Sequence, residues 1–198
     1  TEEVIALSEK ILSQNPGPAM RLAAYTGLAQ AYIQLGQQEK VDEIINILIT
    51  NFSEEKRIGY SLFVIGEEYY LIGEKQLKEI GLSEGRAALQ QAISIWQHVR
   101  AQSMDLLHQA HAIYYSADAL RRIGAYKQAV VYYQQIVSRK PAYKKAWYAQ
   151  YMIARCCEEL AKENKITSGE VKAAYQLVVD KYPDSPAAKI AASKLTLF

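Results

Sequence analysis

The chain has 198 residues, half of them apolar, with only 10 glycines and 5 prolines; a continuous core is available and turns for a β-rich fold are few. Lys plus Arg is 23 and Asp plus Glu is 21, a net charge of +2, which argues against nucleic-acid binding through bulk charge. The two cysteines are adjacent, which excludes a disulfide scaffold, and no apolar run approaches the roughly 20 residues of a membrane span.

The chain opens directly on a helical pattern, Val4, Ile5, Leu7, Ser8 and Ile11, with no charged or apolar leader run, and this reads as an excised or processed piece. The next pattern is Tyr25, Leu28, Ala29, Tyr32, Leu35 and Gly36, at offsets i, i+3, i+4, i+7, i+10 and i+11, one helical stripe with a glycine stop. The same offsets return 37 residues later as Leu62, Ile65, Gly66, Tyr69, Ile72 and Gly73. A third copy is Ile113, Ser116, Ala117, Leu120, Ile123 and Gly124; a fourth, 37 residues on, is Gln150, Ile153, Ala154, Cys157, Leu160 and Ala161. The small residue in the middle (Ala29, Gly66, Ala117, Ala154) lets a neighbouring helix approach closely, and the terminal glycine supplies a positive-φ stop.

A second helix follows each stripe, anchored by Val41, Ile45 and Leu48; by Ala92, Trp96 and Val99; by Ala129, Tyr133 and Ile136; and by Val171, Tyr175 and Val178. Pro16, Pro141 and Pro183 each fall five residues after a last anchor, so the unit is helix, short turn, helix, Pro-marked turn. Two insertions break the period. Gly73 and Ala92 are 19 residues apart where Gly36 and Val41 are 5 apart, and the spacing within residues 74–87 predicts an extended or extra helical turn. Ala161 and Val171 are 10 apart, with the extra length in residues 162–168. Charge is uneven: residues 1–99 sum to −5 and residues 100–198 to +7, which reads either as a set of solvated helix faces or as an elongated molecule with an acidic and a basic end.

Catalytic constellations are missing from the pattern. There is no Gly-rich phosphate loop and no nucleophile elbow. Asp105, His108 and His111 are spaced by three at a helix start and are the one candidate metal cluster, without a clear fourth ligand. Cys156 and Cys157 diverge on a helix; Cys157 falls on the core stripe and Cys156 is expected to be partly exposed. Glu67-Glu68 and Glu158-Glu159 are neighbours that do not converge.

The repeat resembles the tetratricopeptide repeat over essentially the whole chain, with departures at Ser116, Gln150 and Ala161. The 37-residue spacing and the run Tyr182-Pro183-Asp184-Ser185-Pro186-Ala187-Ala188 also resemble the longer repeats of bacterial envelope proteins, such as outer-membrane assembly lipoproteins. The resemblance implies an all-α fold, a right-handed superhelical solenoid of antiparallel helix pairs. It implies a single domain, 1–198. Residues 1–16 are then the second helix of a truncated repeat, 17–53, 54–104, 105–141 and 142–183 are helix pairs, and 184–198 is a C-terminal helix, partial repeat or cap.

In this family the first helix of each pair lines the concave side. Offsets carried over from the family place groove positions at Ala23, Thr26, Gln30, Ile33 and Gln34; at Tyr60, Phe63, Glu67, Tyr70 and Leu71; at His111, Tyr114, Asp118, Arg121 and Arg122; and at Tyr148, Tyr151, Arg155, Glu158 and Glu159. Tyr, Phe and Arg are residue types enriched at interface hot spots, and these side chains are expected to point away from the helix-pair core. The Lys and Asn of a chaperone-tail clamp are replaced by Gln30, Glu67, Asp118 and Arg155, so that mode is not expected. The implied function is a non-catalytic scaffold that binds a protein or peptide segment in the groove, with no cofactor, no metal, no nucleic acid and no direct membrane insertion. Self-association through the C-terminal helix, with Ile190, Leu195, Leu197 and Phe198 on its open face, is a further expectation. Alternatives are a structural module of a bacterial envelope assembly and, more remotely, a small metal-dependent enzyme built on Asp105, His108 and His111.

Overall fold

The structure, a computed structural model, describes residues 1–102 and 105–197. The described residues form ten α-helices and no strand: α1 (Glu2–Ser13), α2 (Pro18–Gln34), α3 (Gln38–Asn51), α4 (Ile58–Glu79), α5 (Leu82–Gln102), α6 (Leu106–Arg122), α7 (Tyr126–Arg139), α8 (Ala146–Lys162), α9 (Ser168–Lys181) and α10 (Pro186–Leu195). This is the all-α helical repeat that the periodicity predicts. The chain divides into two compact units, Thr1–Ala112 and Ile113–Phe198.

In the first unit α1 packs on α2, α2 pairs with α3 and lies beside α4, and α4 pairs with α5. The second-helix anchors Val41, Leu48, Ala92, Trp96 and Val99 are completely buried. Ile44, one position before the predicted Ile45, faces the core of α3. The α4–α5 pair is longer than the others because the insertion 74–87 is almost all helix: it extends α4 to Glu79 and starts α5 at Leu82. Gly73 is therefore not a helix stop, contrary to the sequence expectation. It is buried inside α4, where a Cβ would lie 2.7 Å from Leu89 Cγ and 3.1 Å from the Gly85 carbonyl oxygen. The φ > 0 residue in the turn after α4 is Gly81, at +151°.

In the second unit α7, α8 and α9 pack in sequence, and α10 packs on α9 and α8. Tyr133 and Tyr175 are fully buried at the position that Trp96 occupies in α5. Three first helices close in the same way. After α2, Gln37 N donates to Tyr32 O at 2.9 Å; after α6, Ala125 N donates to Leu120 O at 2.8 Å; after α8, Lys165 N donates to Leu160 O at 2.9 Å. The residue in the left-handed region is Gly36 in the first case, Gly124 in the second and Asn164 in the third, at φ +69°, +80° and +55°. The Ala161 departure is thus resolved by running α8 three residues further, to a residue type that tolerates the left-handed conformation. The inserted residues 162–168 otherwise form the turn into α9, whose N-cap Thr167 makes a capping box with Glu170.

Two further expectations change. Leu35, placed on the first stripe, is 44% exposed because it is the C-cap of α2. The two cysteines exchange roles: Cys156 is fully buried and Cys157 only partly. Both faces of α8 are covered, by α7 and by α9. Cys156 lies on the side near Arg121 and Asp118, and Cys157 on the side near Glu170. Burial pushes the Cys156 thiol up to about 12. At the far end Ser185 caps α10, and Ile190 and Leu197 are exposed, Leu195 partly so; Phe198 and residues 103–104 lie outside the described residues.

Candidate functional site

Each unit carries a cleft between first helices. In the first unit it lies between α2 and α4, with a volume of about 280 Å³. The predicted positions Ala23, Thr26, Gln30 and Tyr60 meet there, joined by Arg57, Ser61 and Val64. Tyr60 is 52% exposed and its ring meets His108 edge-on at 5.6 Å. Gly27 also lines this cleft, and its Cβ-free side faces α1, where an added Cβ would lie 3.4 Å from Ser8 Oγ.

Phe63 and Tyr70 do not join this cleft. Both are buried, and they hold Trp96 between them, each with its ring centroid 5.8 Å from the indole. The cause is Gly66. An added Cβ there would fall 2.5 Å from the indole Nε1, so only glycine lets Trp96 rest on the α4 backbone, where Nε1 donates to the Phe63 carbonyl at 3.0 Å. The rings three residues before and four after Gly66 then flank the indole instead of facing away from the core. Glu67 stays half-buried. His111 is half-buried and tilts against Phe63 at 5.5 Å.

The metal alternative has a different outcome at the same place. Asp105 Oδ1 accepts from Leu107 N at 2.8 Å, which caps α6, and Oδ2 lies 2.8 Å from His108 Nδ1. The Leu107 amide, ahead of His108, holds the Asp105 carboxyl below the usual carboxylate range. Among the described residues no group of three His, Cys, Asp or Glu side chains is arranged to hold a metal ion.

In the second unit the cleft is also about 280 Å³ and is lined by Arg121, Tyr126, Tyr148, Met152, Arg155 and Glu159. Arg121, Tyr148, Arg155 and Glu159 were groove positions in the sequence. Beneath it Asp118, buried at 7% exposure, fixes the guanidinium groups. Its Oδ1 accepts from Arg121 Nη2 at 2.8 Å and from the Tyr133 hydroxyl at 3.3 Å, and its Oδ2 accepts from Arg122 Nε at 2.7 Å. Burial would lower the affinity of Arg121 for its proton, but the Asp118 carboxylate more than offsets it and the guanidinium stays charged.

A family model for the tetratricopeptide repeat matches residues 111–142. That stretch contains most of α6 and all of α7, including Asp118, Arg121 and Arg122. No curated protein matches the chain.

The remaining groove positions of this unit divide by burial. Tyr114 is 5% exposed, packed on the rings of Tyr115, Tyr133, Tyr143 and Tyr148 at 5.3–6.5 Å, with the Lys145 ammonium 4.7 Å above it. Tyr151 is buried between Tyr148 and Tyr175. Both were expected to face away from the core. Their burial follows from the tyrosine-rich neighbours on α7, α8 and α9, which close over the first-helix face. Arg155 is exposed; its Nε pairs with Glu158 at 2.9 Å and its Nη1 donates to the Tyr151 hydroxyl at 3.4 Å. Glu158 is shared with Lys194 of α10 at 2.7 Å. Burial alone would raise its pKa, but Lys194 and Arg155 hold it below the ordinary carboxylate value.

Tyr126 and Met152 were not singled out from sequence. Met152 is on α8 outside the offsets carried over. Tyr126 is the first residue of α7, and those offsets count first helices only. The signal available for Tyr126 was its place two residues after the Gly124 stop, which sets the start of α7 beside the end of α6.

Proposed function

We propose that this chain is a non-catalytic protein-interaction module that binds a segment of another protein, chiefly in the α6–α8 cleft of its second unit. The observation that carries the reading is the lining of that cleft: Arg121 of α6 with Tyr148 and Arg155 of α8, on two successive first helices, and Tyr126 at the start of α7, all at least partly exposed and both arginines held by ion pairs. Arg and Tyr are the residue types that anchor protein interfaces. A cleft of about 280 Å³ suits a few side chains of a bound segment rather than a large cofactor. On this reading 17–53, 54–104, 105–141 and 142–183 are interaction repeats, and the partner is protein rather than nucleic acid. The match of residues 111–142 to the tetratricopeptide repeat supports it, since such repeats serve mainly as protein-binding scaffolds.

The test is peptide display against the purified chain, followed by titration of the enriched sequences. Tyr148→Ala should weaken binding roughly tenfold or more at a temperature where a melting curve shows the variant still folded, since it also removes a ring packed on Tyr114 and Tyr151. Enrichment of no sequence, or affinities indifferent to substitutions in both first-helix clefts, would refute the reading.

A further inference from the structure

The second unit is strongly cationic: residues 113–198 carry 14 basic and 7 acidic side chains, a sum of +7. The ion pairs show how this surplus reaches the cleft. Asp118 serves both Arg121 and Arg122, Glu158 serves both Arg155 and Lys194, and Glu159 serves Lys162. Three carboxylates are thus shared among five cations. Glu159, the one acid on the cleft wall, has its charge offset by Lys162 at 2.7 Å. The two arginines on the wall, Arg121 and Arg155, each share their carboxylate with a second cation. They are therefore positioned by the protein without being fully neutralised by it. Their side chains remain 29% and 44% exposed, so a ligand reaches them without displacing a buried pair. Beside them the partly exposed ring of Tyr148 offers apolar surface, while Met152 lines the cleft but is buried.

We infer that the occupant of the α6–α8 cleft is an acidic peptide segment, its carboxylates meeting Arg121 and Arg155 and an apolar or aromatic side chain lying on Tyr148. This rests on the protein-binding reading above and names the chemistry of the partner. Guanidinium groups whose orientation is already fixed lose little entropy on pairing with a carboxylate, and their fork geometry favours it over a neutral amide. The first-unit cleft differs in kind. Small and neutral side chains dominate its lining, Arg57 is its one charged group, and the unit as a whole sums to −5 over residues 1–112.

The experiment uses a display library in which Asp and Glu, Asn and Gln, and Lys and Arg are equally represented. Enriched peptides should be rich in Asp and Glu. Replacing those acids by their amides should weaken binding at least about tenfold, and raising the salt should do the same. Arg155→Gln should lower affinity about tenfold, while Lys172→Gln, which removes the same charge from the exposed face of α9, should change it less than about twofold. A melting curve on each variant separates binding from folding. Enriched peptides without acids, with binding still lost in Tyr148→Ala, overturn this inference and leave the protein-binding reading standing. Equal losses in Arg155→Gln and Lys172→Gln overturn it as diffuse attraction, and oligouridylate that displaces the peptide and binds more tightly overturns it in favour of nucleic acid. Enrichment of nothing at all removes both readings.

Discussion

Trp96 lies against Gly66 so closely that a methyl group on the glycine would have no room: the position of its Cβ is 2.5 Å from the indole Nε1 and 2.8 Å from Cδ1. The contact is backbone to ring, in the middle of two long helices. Neither partner can yield easily, because Phe63 and Tyr70 close the indole from both sides. Gly66→Ala should therefore destabilise the first unit by roughly 1–3 kcal/mol despite a gain in helix propensity. Trp96→Ala should cost roughly 3–5 kcal/mol through the cavity it leaves. Urea titrations followed by circular dichroism would measure both, and a stabilised Gly66→Ala would contradict the packing described.

Tyr114 and Tyr60 make a sharper pair. The sequence places both on the groove face, yet one is 5% and the other 52% exposed. Tyr114→Ala should lose roughly 3–5 kcal/mol of stability, as for other large buried aromatics. Tyr60→Ala should stay within about 0.5 kcal/mol of the wild type. Equal midpoints in denaturant for the two variants would refute the burial.

Asp118 is the electrostatic centre of the second unit. Asp118→Asn leaves Arg121 and Arg122 without their shared carboxylate, and the cost should be about 2–3 kcal/mol, below that of a fully buried pair because both arginines keep some solvent. Arg122→Gln should cost less, since Arg121 and Tyr133 still hold the carboxylate. Thermal melts at low and high salt would rank the two; the reverse order would contradict the shared-anion arrangement.

Glu158 gives a pH dependence with a definite sign. Its folded pKa lies below the ordinary value of 4.5, so its contribution is present above that pH and is lost as the pH falls through the folded value. Stability of the wild type should fall more steeply below pH 4.5 than that of Glu158→Gln. Parallel curves for the two proteins would show that Lys194 and Arg155 do not depress it.

The cysteines should label in order. Cys157 is partly exposed and Cys156 fully buried with its thiol raised to about 12, so iodoacetamide near neutral pH should modify Cys157 well before Cys156 in the folded protein. Peptide mapping by mass spectrometry reads the order, and urea should abolish the difference.

The helix pairs were legible in the sequence because their signals are local and redundant. Ala92, Trp96 and Val99, or Ala129, Tyr133 and Ile136, repeat at fixed spacing, and the Gly36 and Gly124 stops need only their own backbone geometry. The candidate site was only half legible. Offsets carried over from the repeat located Tyr60, Arg121, Tyr148 and Arg155, which do line the clefts. They also selected Phe63, Tyr70, Tyr114 and Tyr151, which are buried. The difference lies in neighbours far along the chain: Trp96 draws Phe63 and Tyr70 inward, and Tyr133, Tyr143 and Tyr175 enclose Tyr114 and Tyr151. Helical phase defines a face, but the size of the partner residue decides which rings on that face remain open. The interchange of Cys156 and Cys157 has the same origin, since a helix packed on both sides buries more than one stripe.

The most direct test of the account is amide hydrogen exchange of the chain alone and with a display-selected peptide bound. Protection should rise in residues 118–126 and 148–159, around Arg121, Tyr126, Tyr148 and Arg155, with the Arg155→Gln variant showing less at the same peptide concentration. Protection confined to the α4–α5 hairpin, or unchanged across the second unit, would contradict it.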